Sequence, residues 1–122
     1  MKKIIPFLAL LISFSFFCQS QSLTKLWASD TTLKVPESVL LDTKNERMFV
    51  SNIDGKGPWD RDGKGSISLL TLNGKIINPE WVKGLNSPKG MAMVQDFLVV
   101  ADVDSILIID INRATIVKKI GI

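Results

Sequence analysis

The chain has 122 residues, 15 of them basic and 12 acidic, with a single Cys and no His. That length allows one ordinary domain. The missing His excludes Ser-His-Asp and Cys-His catalytic groups and His-bearing zinc sites, so a metal site in this chain has to use oxygen ligands, which suit calcium or magnesium.

The first segment reads as a cleavable signal peptide. Met1-Lys2-Lys3 is a short positive start, Ile4 to Phe17 is a 14-residue apolar run, and Cys18-Gln19-Ser20-Gln21-Ser22 is small and polar. A 14-residue helix spans ~21 Å, short of the ~30 Å hydrocarbon core, which argues against a permanent anchor. A small-x-small rule allows cleavage after Ser20 or after Ser22. Cys18 raises the alternative of a lipoprotein, against which stands the bulky Phe17 before it. Cleavage after Ser20 leaves a mature chain with neither Cys nor His. Two of the basic residues, Lys2 and Lys3, go with the leader, leaving 13 against 12 acidic. Near-neutrality gives no argument for binding nucleic acid or, after cleavage, a membrane. The expected location is exported, periplasmic or extracellular, with residues 1–20 as signal peptide and 21–122 as the mature domain.

The mature chain reads as short strands broken by turns, with no sustained helical period. Ser38–Leu41 is followed by a polar turn at Asp42–Glu46, then a strand at Arg47–Asn52. Ser66–Leu72 ends at Asn73-Gly74, a strong hairpin signal. Lys75–Ile77 begins a fourth strand that reaches Trp81-Val82. The order then restarts. Gly90–Val94 turns at Gln95-Asp96 into Phe97–Ala101, Ser105–Asp110 follows, and Asn112-Arg113 turns into Thr115–Val117.

These halves form an internal repeat. Val35-Pro36-Glu37-Ser38 matches Ser87-Pro88-Lys89-Gly90, Met48–Asp54 matches Leu98–Asp104, and Ser66–Asn73 matches Ser105–Asn112. The first copy carries 11 additional residues, Gly55 to Gly65. Four short antiparallel strands repeating at ~40 residues are the signature of a propeller blade. The expected fold class is therefore all-β, about two four-stranded blades of an incomplete β-propeller, with blade one near 36–83 and blade two near 88–122. Leu23–Trp27, running into Leu33–Pro36, is expected as an outer strand of a preceding blade. A generic β-sandwich is the competing architecture. Because a propeller needs at least ~4 blades, the chain is expected to be a truncated copy or fragment, or to self-associate.

At Pro36–Val39, Val50–Gly55 and Leu85–Ala92 the chain resembles the six-bladed propellers of the gluconolactonase/senescence marker protein (regucalcin) superfamily and the related NHL-type repeats. The resemblance covers roughly Leu23–Ile122, about the first third of such a propeller. It implies a divalent-cation site, commonly calcium, with Glu37 in the place of the family's first glutamate ligand. The local pattern departs from the family's Gly-Glu-Gly-Pro, reading Val-Pro-Glu-Ser here, and the family's Asn and Asp ligands come from later blades.

Within a blade, the loop entering the first strand and the loop after the second lie on one rim. That places Glu37, Asn52, Asp54, the 55–65 loop, Lys89, Asp102 and Asp104 together. Oxygen ligands there suit a hard cation, with Glu37 first and Asp102 and Asp104 after it; the same Asp and Asn side chains also serve turns by capping backbone N–H groups. Asp60-Arg61-Asp62-Gly63 begins like a calcium loop but carries Lys64 where an oxygen donor belongs and Thr71 where a bidentate Glu belongs. Asn52, Asp54, Trp59 and Lys89 are the candidate ligand-binding residues, with Trp59 able to stack on a sugar or lactone ring. Trp27 and Trp81 read as packing residues. No catalytic residue is assigned. The expected function is an exported propeller-type binding protein with a small-molecule or protein ligand at its loop rim. The alternative is a calcium-dependent lactone hydrolase of the gluconolactonase type whose remaining ligands lie in further blades.

Overall fold

The computed structural model describes residues 21–122. The leader with Cys18 lies outside the described residues. Eight strands follow in chain order: β1 (Pro36–Asp42), β2 (Arg47–Asn52), β3 (Gly65–Thr71), β4 (Ile76–Leu85), β5 (Met91–Val94), β6 (Phe97–Ala101), β7 (Ser105–Asp110) and β8 (Thr115–Gly121). They form two four-stranded antiparallel sheets in the orders β1-β2-β3-β4 and β5-β6-β7-β8. The described residues contain no α-helix.

Local chemistry sets the turns. Asp42 ends β1 and caps a single 3-10 turn, Thr43–Asn45, by accepting from Asn45 N, after which Glu46 reverses the chain at φ 52°. Thr71 and Lys75 close the β3–β4 hairpin around Gly74, whose φ of 85° suits glycine. A Cβ on Gly74 would also lie 2.3 Å from the Trp27 ring, so the same glycine makes room for that indole.

The two sheets repeat at the level of individual ladder positions. Phe49 faces Leu69 as Val99 faces Ile108; Val50 faces Ser68 as Val100 faces Leu107; Met48 faces Leu70 as Leu98 faces Ile109. Between β2 and β3 the first sheet carries a long loop, where the second has only the three residues Asp102-Val103-Asp104.

The sheets pack face to face through one apolar layer. Phe49, Ile67, Val82 and Leu85 of the first sheet meet Leu98, Val100, Leu107, Ile109 and Ile111 of the second. Phe49 also packs against Trp81, ring centres 5.1 Å apart and tilted by 46°. Each fully buried side chain of this size contributes about 1.5–3 kcal/mol of transfer free energy, so the layer dominates the packing. Backbone contact between the sheets falls at their first strands, β1 and β5.

On the opposite face of the first sheet, Met48, Val50 and Leu70 form a second, smaller cluster with Leu33 and Ile76. The expected strand at Leu23–Trp27 does not form: residues 21–30 are irregular, and a turn follows at Thr31-Thr32. A strand needs a ladder partner, and this segment lies over a sheet face instead, Trp27 and Leu33 lining a groove above Val39, Met48 and Val50. The segment joins the sheet by its end alone, where Ile53 N and Asp54 N donate to Val35 O and Lys34 O, both at 3.1 Å.

One buried ion pair ties the first hairpin to the core. The Asp42 carboxylate is 1% exposed, accepts from Arg47 Nε at 2.8 Å and from Asn45 Nδ2, and Arg47 also lies over the Phe49 ring. Burial pushes the Asp42 carboxyl up, but the hydrogen bonds from Arg47 and Asn45 outweigh it and leave Asp42 more acidic than usual. A carboxyl more acidic in the folded state stabilises the fold above its unfolded pKa of about 3.9, and the contribution is lost as pH falls through the lower folded value. Arg47→Ala, which strands the buried carboxylate, is expected to cost about 3 kcal/mol in urea unfolding at neutral pH, and the deficit against wild type is expected to shrink below pH ~4 as Asp42 protonates.

Candidate functional site

The two sheets are joined by five residues, Asn86–Gly90, and this short linker draws three loops to one rim. Its anchor is Asp102, just past β6. Asp102 is 5% exposed, and its two carboxylate oxygens accept from Asn86 N (2.8 Å), Ser87 N (2.7 Å) and Val103 N (2.8 Å). Charge-assisted bonds of this kind are roughly twice as strong as neutral ones. Asn86 then bridges outward, accepting from Gly63 N at 3.1 Å and donating to Asp104 Oδ2 at 3.1 Å.

The β2–β3 loop is pinned over this linker. Ser87 Oγ donates to the carbonyls of Gly57 and Asp60, and Lys89 Nζ donates to Pro58 O at 2.8 Å. Gly65 permits the close approach where the loop enters β3, since a Cβ there would lie 2.5 Å from Pro88 and 2.7 Å from Asn86 O. Trp59 stands at the top, 75% exposed, with Lys89 Nζ 5.5 Å from its ring centre. The result is a long loop held at several points that presents an indole and an ammonium side by side.

The carboxylates around it are already engaged. Asp104 accepts from Ser105 Oγ and Asn86 Nδ2 and faces Lys119 at 3.7 Å and Arg61 at 3.9 Å. The Ser105 hydroxyl first, then Asn86 and the two cations, hold the Asp104 carboxyl below its usual range against the opposing effect of burial. Asp54 pairs with Lys34 at 3.0 Å, and Asp54, then Glu80, raise the Lys34 amine above its ordinary value. Asp62 accepts from Lys64 N. Glu37 is exposed and accepts from the Ser38 hydroxyl at 2.8 Å.

Asn52 sits differently from its repeat partner Asp102. It is 1% exposed and donates from Nδ2 into its own sheet, to Ser68 Oγ at 2.7 Å and Val50 O at 3.3 Å, while its Oδ1 has no hydrogen-bond partner among the described residues. The structure thus brings Asp54, Trp59, Lys89, Asp102 and Asp104 into the loop layer, and buries Asn52 beneath it.

Among the described residues, no three His, Cys, Asp or Glu side chains converge as a metal-holding group. Glu37 has only a neighbouring hydroxyl, and Asp102 and Asp104 are occupied by N–H donors and cations.

Three side chains that organise this rim were not singled out from sequence: Asn86, Ser87 and Arg61. The signal for the first two was Leu85-Asn86-Ser87-Pro88 itself, a turn-forming Asn and Ser before a Pro between two strands. No family model, curated protein or solved structure matches the chain.

Asp102→Ala leaves the buried N–H groups of Asn86 and Ser87 without an acceptor. It is expected to destabilise the protein by about 3 kcal/mol in urea unfolding, whereas Asp62→Ala, on the exposed part of the loop, stays within about 0.5 kcal/mol.

Proposed function

We propose that the two sheets are neighbouring blades of a β-propeller and that the chain is an exported binding protein whose ligand site is the loop rim. Three features support the blade reading. Each sheet is a four-stranded meander, the ladder positions repeat from one sheet to the next, and the first strands are the ones in backbone contact. Export rests on the residue pattern of the leader. No described helix is long and apolar enough to cross a membrane.

The single observation that carries the binding reading is Trp59. A large aromatic left mostly in water on a loop tied down at Gly57, Pro58, Asp60 and Gly63 spends little conformational entropy on meeting a ligand. The indole face suits the apolar face of a sugar or lactone ring, and Lys89 beside it suits a ring oxygen or carboxylate. Titrating the protein with glucono-lactone, gluconate and glucose while following Trp emission is expected to give saturable change with at least one of them. Trp59→Ala is expected to abolish it while Trp81→Phe preserves it. No saturable change in the wild type, or an undiminished one in Trp59→Ala, contradicts the reading.

The lactone-hydrolase alternative requires Glu37 to hold a divalent cation together with oxygen ligands from outside the described residues. Such a cation would polarise a lactone carbonyl or activate water. Calorimetric titration with calcium tests that reading directly: it requires binding that Glu37→Ala removes, and binding that is absent or indifferent to Glu37→Ala rejects it.

A further inference from the structure

The apolar layer between the sheets is built from two unlike faces, and both faces recur, only partly covered, on the outside of the molecule. One face belongs to the first sheet and carries Leu40, Phe49, Ile67 and Leu69. The other belongs to the second sheet and carries Leu98, Val100, Leu107 and Ile109. The ladder repeat assigns each its counterpart. Ala92, Val99, Ile106 and Ile108 hold the first pattern on the outer face of the second sheet. Met48, Val50, Ser68 and Leu70 hold the places of the second pattern on the outer face of the first sheet, apolar at three of the four, with Val39 beside them.

Neither outer face is fully closed by the described residues: Met48, Val50 and Leu70 are buried with Leu33 and Ile76 packed against them, but Val39 and Leu41 stay in water. Around Val39 (60% exposed) and Leu41 (57% exposed), an apolar groove of about 280 Å³ remains beside Trp27 and Leu33. On the other side Ile106 is 37% and Val94 57% exposed. Large apolar sheet faces of this kind mark association sites.

We propose that these two faces dock on each other between copies of this chain, the outer face of the second sheet of one copy covering the outer face of the first sheet of the next. The contact is continuous with the interface already inside the molecule, since it stacks the same two patterns in the same order. It therefore needs no partner of different chemistry. Because the two faces differ, the contact is head-to-tail, and it either closes into a ring or runs on as an open chain. Of the irregular 21–30 segment, Trp27 and Ser29 border the groove, and the segment forms no strand against the sheet.

The test is the mass of the protein, expressed from Met1 and purified as the cell processes it, by size exclusion with light scattering over a wide concentration range. At least twice the protomer mass is expected. Ile106→Lys blocks one face and Val39→Lys the other, both at positions exposed in a single copy, so each variant alone is expected to be monomeric with an unchanged β-type circular dichroism spectrum. Mixed together, they retain one live face of each kind and are expected to form a dimer and nothing larger. A wild type that is monomeric throughout overturns the proposal. Assembly that survives both substitutions, or variants that fail to pair on mixing, overturns it as well. Leu41→Lys and Val94→Lys carry the same expectations and replace a variant that does not fold.

Discussion

The apolar layer between the two sheets is the constraint from which the remaining features follow. A four-stranded sheet that is apolar on only one face can leave the other to water. Here β2 is buried along nearly its whole length, with Phe49 and Ser51 pointing one way and Met48, Val50 and Asn52 the other. Both faces of the first sheet therefore demand cover. The second sheet supplies it on one side, and the 27–35 segment supplies it partially on the other.

Bringing two sheets into contact over a five-residue linker forces their loops together, and the polar groups of that linker have to be satisfied where water is excluded. Asp102 meets this need by accepting two linker N–H groups from below, and Asn86 and Ser87 carry the network up to the long β2–β3 loop. The position of Trp59 is thus a remote consequence of sheet packing. The indole is held by the loop, the loop by the linker, and the linker by a buried carboxylate.

Strands and turns were legible because their signals are local. Asn73-Gly74, Gln95-Asp96 and the short apolar run Ile106–Ile109 between turn signals each specify their conformation within a few residues. The repeat was legible as well, and its matched positions have identical ladder registers. What escaped sequence reading depends on what lies opposite. Leu23–Trp27 has the composition of an outer strand, but no strand among the described residues pairs with it. Asn52 and Asp102 occupy matched positions, yet Asn52 donates into its own sheet while Asp102, a carboxylate that can only accept, takes the linker N–H groups. The pinning of the 55–65 loop arises from Ser87 and Lys89, some thirty residues away, and no spacing within the loop announces it.

If the apolar layer governs the fold, the two sheets share one stability, and weakening the layer from one side weakens both. Native-state hydrogen exchange on Phe49→Ala reads this directly. The ring belongs wholly to the first sheet, and its removal from a packed core costs about 3–5 kcal/mol. The predicted result is an equal loss of protection at the amides of Val50 in β2 and Val100 in β6. Loss confined to the first sheet, with Val100 as protected as in the wild type, would contradict the interdependence of the two sheets.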